Sequence, residues 1–176
     1  MPNHTDNRVV LSHEDAEQIT KICRIMEDGG ELCHALIPEP RDENNEPTEG
    51  WYDWRIENWG TKWEIYNTFH DRWSDNEVYL SFDSAWSPPD RVFYRLAEMG
   101  FEIDAKYLDE GWMYIGWFLQ EDGQLMDYTE SDIDIACAKY PQLDEEFGIS
   151  YVREEEEKEE EEEQLRAFID NVGAIT

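Results

Sequence analysis

The chain has 176 residues, enough for one domain with a sizeable core, and sets 44 acidic side chains against 14 basic ones for a net charge of −30. Folded, such a chain has a radius of gyration of roughly 16 Å, so its field is negative wherever a partner approaches, which argues against direct binding to nucleic acid or to an anionic membrane. No stretch approaches the ~18 apolar residues of a membrane span, and the start Met-Pro-Asn-His lacks the basic and apolar regions of a secretory signal, so a cytoplasmic location is expected.

Residues 7–11 read as a short strand, and Ser12 as the N-cap of a helix whose capping box Asp15 completes. Ala16, Ile19, Ile22, Cys23 and Met26 recur at helical spacing before Gly29 and Gly30. A mainly apolar stretch from Leu32 is closed by Pro38 and Pro40, and residues 41–50 are polar and loop-like. Between Trp51 and Arg72 lie four tryptophans, and an alternation around Trp63, Ile65 and Asn67 suggests a strand after a turn at Gly60. Val78, Leu80 and Phe82 alternate with Tyr79, Ser81 and Asp83 as in a half-buried strand. Ser87 reads as the next N-cap, with Pro88 at the first helical position and Asp90 closing the box; Val92, Leu96 and Met99 face the core and Gly100 ends the helix.

Phe101, Ile103, Ala105 and Tyr107 then mark another strand, and residues 112–119 are apolar on both faces, as in a central strand. Asp122-Gly123 makes a hairpin turn into residues 125–128, and a further helix is expected over about 131–139, ahead of Pro141. The order β-α-β-β-α-β with extra strands is an α+β, ferredoxin-like arrangement, an antiparallel sheet with helices packed on one face. The expected division is a ferredoxin-like domain over residues 1–129 and an acidic helical C-terminal extension over 130–176. Residues 153–164 hold nine acids and two bases. Like charges at i,i+4 oppose a helix there, but Leu165, Phe168 and Ile169 offer an apolar edge that would dock a terminal helix onto the body, so a partly frayed helix is expected rather than disorder.

Asn3-His4, the run Leu36-Ile37-Pro38-Glu39-Pro40, the run Asn58-Trp59-Gly60-Thr61-Lys62-Trp63 and the stretch from Phe82 to Pro89 together resemble the YubB ferredoxin-like family, a group of small phage, prophage and plasmid proteins. The resemblance covers roughly residues 1–120. It implies a ferredoxin-like fold and a mobile-element origin, hence a host-cell cytoplasm, and it implies no biochemical activity. This chain departs from the family in Ser84, where threonine is expected, in its long acidic C-terminal part and in its charge.

Asn58, Trp59, Lys62, Trp63, Trp86 and Ser87 form a candidate ligand pocket, in which Lys62 meets an anion and the indoles stack on a base or ring. The plainer reading is that the tryptophans fill a core short of aliphatic residues, Gly60 makes a turn and Ser87 caps a helix. Cys23, Cys33 and Cys137 form no CxxC pattern, which argues against a disulfide framework. Cys33 and His34 beside Cys23 make a poor zinc pattern, and Asp71, Asp75, Asn76 and Glu77 lack the spacing of a calcium loop. The sequence has no GxSxG, no phosphate-binding loop, no HExxH and no cluster-binding cysteine set, so neither a metal, a cofactor nor an enzyme is expected.

The charge carries the functional expectation. Carboxylates in rows would imitate the phosphates of DNA, which carry one charge per ~1.7 Å of duplex. They would occupy the cleft of a basic host protein, such as a nuclease, a restriction complex or a CRISPR effector. Glu154, Glu155, Glu156, Glu157, Glu159, Glu160, Glu161, Glu162 and Glu163 are the expected contacts, with Asp42, Glu43 and Glu46 in the polar loop. The competing reading is adaptation to a salt-rich cytoplasm, to which a lysine count of only five is suited.

Overall fold

Strand β1 (His4–Ser12) alternates buried and half-buried residues along its whole length, and it occupies the middle of the sheet. The computed structural model, which describes residues 3–173, continues with α1 (Ala16–Glu27), α2 (Leu32–Leu36) and α3 (Trp51–Trp59) before β2 (Tyr66–Ser74) and β3 (Glu77–Ala85). Helix α4 (Asp90–Glu98) leads into β4 (Glu102–Asp109), β5 (Ile115–Glu121) and β6 (Gln124–Glu130). The chain then forms α5 (Ile133–Lys139), α6 (Pro141–Phe147) and α7 (Ile149–Gly173). The sheet order is β2-β3-β1-β4-β5-β6 and the pairings are antiparallel. Its first four positions, β2-β3-β1-β4, are the ferredoxin-like order produced by a β-α-β-β-α-β unit. The β5-β6 hairpin extends that unit beside β4.

One face of the sheet carries the main core. Val9, Leu11, Leu80, Phe82, Ile103 and Phe118 pack against Ile19, Ile22 and Met26 of α1 and Val92, Phe93 and Leu96 of α4. The second face is covered over β4, β5 and β6 by α5 and α6, where Leu108 and Ile115 meet Ile133, Ala136, Leu143 and Ile149. This cover explains why residues 112–119 read as apolar on both sides: Trp117 and Ile115 face α5 and α6 while Phe118 faces α4. Over β2 and β3 no helix among the described residues covers the second face, and Trp73 stacks on Tyr79 there with ring centroids 5.5 Å apart.

Several element ends differ from their sequence expectation. Ser12 is the last residue of β1, and Asp15 caps α1 by accepting from the Glu17 N–H at 2.9 Å. Residues 51–59 are helical, and the strand expected around Trp63 begins only at Tyr66. Helix α4 starts at Asp90 behind Pro89, without a side-chain cap, so Ser87 lies outside it. The Asp122-Gly123 hairpin is present, with φ of 49° and 73°, the paired positive values of a type I′ turn.

Candidate functional site

The two tryptophan-bearing segments meet at one end of the main core. Helix α3 terminates at Gly60 in the left-handed region, φ 83°, and a Cβ there would fall 1.8 Å from Asp90 Oδ1. Thr61, fully buried, locks the next residue to the sheet: its hydroxyl donates to the Ala85 carbonyl at 3.0 Å and accepts from the Ala85 N–H at 3.1 Å. Ser87 Oγ donates to the Gly60 carbonyl at 2.5 Å, which is the work its hydroxyl does in place of capping α4. Between these clamps Trp86 takes φ 71°, unusual for a bulky residue, and its indole stands 42% exposed.

Of the six pocket residues expected from sequence, the structure brings four together, Lys62, Trp63, Trp86 and Ser87. Lys62 Nζ lies 4.3 Å from the Trp86 ring centroid, 4.8 Å from Trp63 and 5.7 Å from Tyr52, so its ammonium is already held by three aromatic rings. Ser87 and Trp86 line a cleft described below. Asn58 instead bonds back to the Trp54 carbonyl of its own helix at 2.8 Å. Trp59 is fully buried; its indole N–H donates to the Ile37 carbonyl at 2.8 Å and its ring meets Trp54 edge-on. Arg55 covers the Trp51 and Trp59 rings at 4.8 Å each, and its guanidinium forks onto buried Glu39 at 2.6 and 2.7 Å. The Ile-Pro-Glu-Pro run therefore supplies the anchor of α3 through Glu39.

Beside this junction opens a cleft of about 340 Å³, walled by Trp86, Ser87 and Pro88 on one side and by Tyr107 of β4, Tyr114 just ahead of β5, and Asp127 and Thr129 of β6 on the other. Gly116 makes its floor possible, because a Cβ there would lie 2.3 Å from the Tyr107 ring. The ring crosses that gap so that Tyr107 Oη reaches the Thr129 hydroxyl at 2.6 Å. Tyr114 closes one end, donating to the Trp86 carbonyl at 2.8 Å and pairing with Thr5 Oγ1 at 2.5 Å. Burial pushes the Tyr114 phenol up to about 12 and the Tyr107 phenol higher still. Both stay protonated at neutral pH. Asp90 and Asp127 lie on the same cleft, and burial, with the Asp127 charge adding to it, raises the Asp90 carboxyl above its ordinary value. Tyr107, Tyr114, Asp90, Asp127 and Thr129 escaped the sequence reading as site residues; an isolated glycine inside a bulky strand, Gly116, was the one available signal.

The acidic residues fall in two separate places. Asp42 is a turn-former: its Oδ1 accepts from the backbone N–H groups of Asn44 and Glu46 at 2.9 Å each, and these bonds lower its pKa. Glu43 and Glu46 in that loop are exposed. The loop joins α2 to α3 on the main-core face, whereas α7 continues from α6 on the second face. The first turn of α7 is tied down by buried Ile149, by Ser150 bonding to Asp144, and by Arg153 paired with Asp134 over the Trp112 ring. Beyond Arg153, residues 154–167 are exposed. Leu165 and Ile169 are each 58% exposed and do not dock onto the body as expected, and the Phe168 side chain lies outside the described residues. Glu156, Glu159, Glu160 and Glu163 share one side of this helix and border a common groove.

Cys33 and His34 serve the backbone: their N–H groups donate to Glu64 at 2.8 and 2.9 Å, which satisfies the start of α2. Among the described residues no three His, Cys, Asp or Glu side chains gather as a metal-holding group, and no helix is long and apolar enough to cross a membrane.

No curated protein matches the chain. One solved structure, a protein api92 from Yersinia pseudotuberculosis, is similar at 23% sequence identity with a TM-score of 0.41 over 48% of this chain, which spans 31% of that longer chain. The family model described as "Ferredoxin-like domain in Api92-like protein" matches residues 62–169, from just ahead of β2 through most of α7. With more than half of its length matched and the strand order in agreement, the chain belongs to the family of ferredoxin-like domains in Api92-like proteins.

Proposed function

We propose that this protein is a non-enzymatic, phage- or plasmid-encoded inhibitor that acts in the host cytoplasm. It binds a basic nucleic-acid-processing defence protein, such as a nuclease, restriction complex or CRISPR effector, by presenting carboxylates in place of phosphates. The YubB-like residues favour the mobile-element origin. The observation that carries the reading is α7, a 25-residue helix exposed from residue 154 to 167. An exposed helix with four Glu–Glu pairs at i,i+4 adds nothing to the core and opposes its own formation by about 0.2–0.5 kcal/mol per pair. A cationic partner reverses that sign.

The spacing fits the role. Residues 153–164 carry a net −7. Twelve residues at about 1.5 Å each span about 18 Å, giving one net charge per about 2.6 Å. That lies between a single DNA strand at about 3.4 Å and a duplex at about 1.7 Å. Steered association with a basic cleft would be fast and would weaken steeply as salt rises.

The test is capture from host lysate on the immobilised full chain, eluted with a salt series and separately with duplex oligonucleotide. A basic nucleic-acid enzyme should be retained, released by rising salt and displaced by the duplex. A variant with the nine glutamates of α7 changed to glutamine should retain none of it. Retention that is indifferent to the duplex, or equal with the glutamine variant, would remove mimicry and leave the charge as adaptation to salt.

A further inference from the structure

We propose that the cleft between Trp86 and the β4–β6 end of the sheet binds a small organic cation, a primary ammonium or guanidinium attached to an apolar or aryl group. The argument starts from where the hydroxyl protons go. Tyr114 donates to the Trp86 carbonyl, and Ser87 to the Gly60 carbonyl. The Tyr107 and Thr129 hydroxyls are bonded to each other, with the Tyr128 carbonyl 3.3 Å away to take the proton that is left over. Tyr94, behind the cleft, donates to Asp127 Oδ2 at 2.8 Å, and the Arg91 N–H to Asp90 Oδ1 at 2.8 Å. The hydroxyl donors of the cleft are thus committed to the protein itself, and the Trp86 indole N–H is the side-chain donor left without a partner among the described residues.

What stays open besides that indole are acceptors. Asp127 Oδ1 and Asp90 Oδ2 have no hydrogen-bond partner among the described residues. A ligand entering here meets lone pairs and negative charge, so it has to bring N–H donors and positive charge. Anions, which Lys62 would attract on sequence grounds, are disfavoured: that ammonium sits over the Trp86, Trp63 and Tyr52 rings and does not line the cleft. The exposed indole of Trp86 and the Tyr107 and Tyr114 rings supply apolar wall for the rest of the ligand. At about 340 Å³ the space is at the small end for ligand pockets, which suits an arylalkylamine and excludes a dinucleotide. Burial raises the Asp90 carboxyl, and the charge of Arg91 beside it offsets that only in part.

This inference is independent of the α7 reading, because it rests on different residues. The test titrates phenethylammonium chloride into the full chain, in sodium chloride of about 0.15 M to suppress diffuse counter-ion binding, and follows the indole N–H resonances by NMR. Saturable one-site binding is expected, with the neutral analogue 2-phenylethanol at least about tenfold weaker. Asp127→Asn, at an exposed position where misfolding is not expected, should weaken phenethylammonium by about tenfold or more, and Asp90→Asn likewise. Glu156→Gln on α7 should leave binding unchanged. Equal binding of the alcohol, an equal loss with Glu156→Gln, shifts that do not saturate, or a response to inorganic phosphate but not to the amine would each overturn the proposal.

Discussion

Two residues, Gly60 and Glu39, hold the tryptophan junction by different physics. Gly60 is fixed by backbone geometry: at φ 83° a side chain is strained, and its Cβ would also lie 3.1 Å from the Asp90 backbone nitrogen, which cannot swing aside. Gly60→Ala should therefore cost about 2 kcal/mol or more, read as a lower urea midpoint with unchanged slope. Gly123→Ala, where a Cβ would meet nothing within 4 Å, should cost only the price of a positive φ, about 1 kcal/mol. Glu39 is fixed by charge. Burial alone would raise its carboxyl, but the hydrogen bonds and charge of Arg55, with Arg41 beside it, outweigh that and hold the pKa below the ordinary value. A depressed folded-state pKa means stability that is fully present above the unfolded value near 4.5 and lost as pH falls through the folded one. Arg55→Ala leaves that carboxylate buried beside only Arg41, 3.3 Å away, and should cost about 3–5 kcal/mol at pH 7. Its penalty should shrink as pH falls into the carboxylate range, because burial raises the unpaired carboxyl and it takes up a proton before the paired one does. A penalty in urea denaturation that is flat from pH 7 to pH 3.5 would show that Arg55 acts through its packing on Trp51 and Trp59 instead.

At the scale of elements, α7 is the one that gains least from folding. Its first turn is anchored at Ile149 and Arg153, and the rest relies on intrahelical hydrogen bonds against repelling glutamates, relieved locally by the Lys158–Glu155 pair at 2.8 Å. Neutralising the glutamates with acid, or adding a short polylysine at neutral pH, should raise the helical signal at 222 nm in circular dichroism, whereas most proteins lose it in acid. The glutamine variant should show neither rise. How much of the molecule could be read from residues alone also divides by element. Strands β3 and β4 and the β5-β6 turn were legible because period-two alternation and Asp-Gly chemistry are local signals. Helix α3 was not: its three tryptophans share their inward face with Arg55 and Asn58, so the helical spacing is not an apolar one, and aromatic residues carry strand propensity. Ser87 misled because a helix-start pattern and a carbonyl tether to Gly60 call for the same small hydroxyl. The cleft was least legible, since Tyr107, Tyr114 and Asp127 become neighbours only through sheet pairing, and Asp90 joins them only where α4 packs on the sheet.

For the whole molecule the controlling quantity is how the −30 is shared. Seven of those charges belong to residues 153–164, so twenty-three remain on the rest of the chain. The ion pairs of the body, such as Arg8 with Asp6 and Lys106 with Asp104, tie up few of them. The repulsion is consequently a property of the globule as well as of its projecting helix. At about 0.01 M salt the screening length of about 30 Å exceeds the molecular radius, and every carboxylate feels the others; at about 1 M it falls to about 3 Å and only contacts matter. Raising sodium chloride from about 0.01 to about 0.5 M should therefore raise the thermal midpoint by roughly 5–10 °C, corresponding to about 2–3 kcal/mol for a chain of this size. The same gain should survive in a chain ending at residue 153, which keeps Ile149 in the second core and Arg153 on Asp134 and loses α7 from exposed residue 154 onward. Should the truncated chain lose its salt response, the acids of the body would be locally compensated and the charge of this protein would be concentrated on α7 after all. That result would strengthen the mimic reading and discard adaptation to salt, so this one comparison of two melting series weighs the competing explanations of the charge without knowledge of any partner.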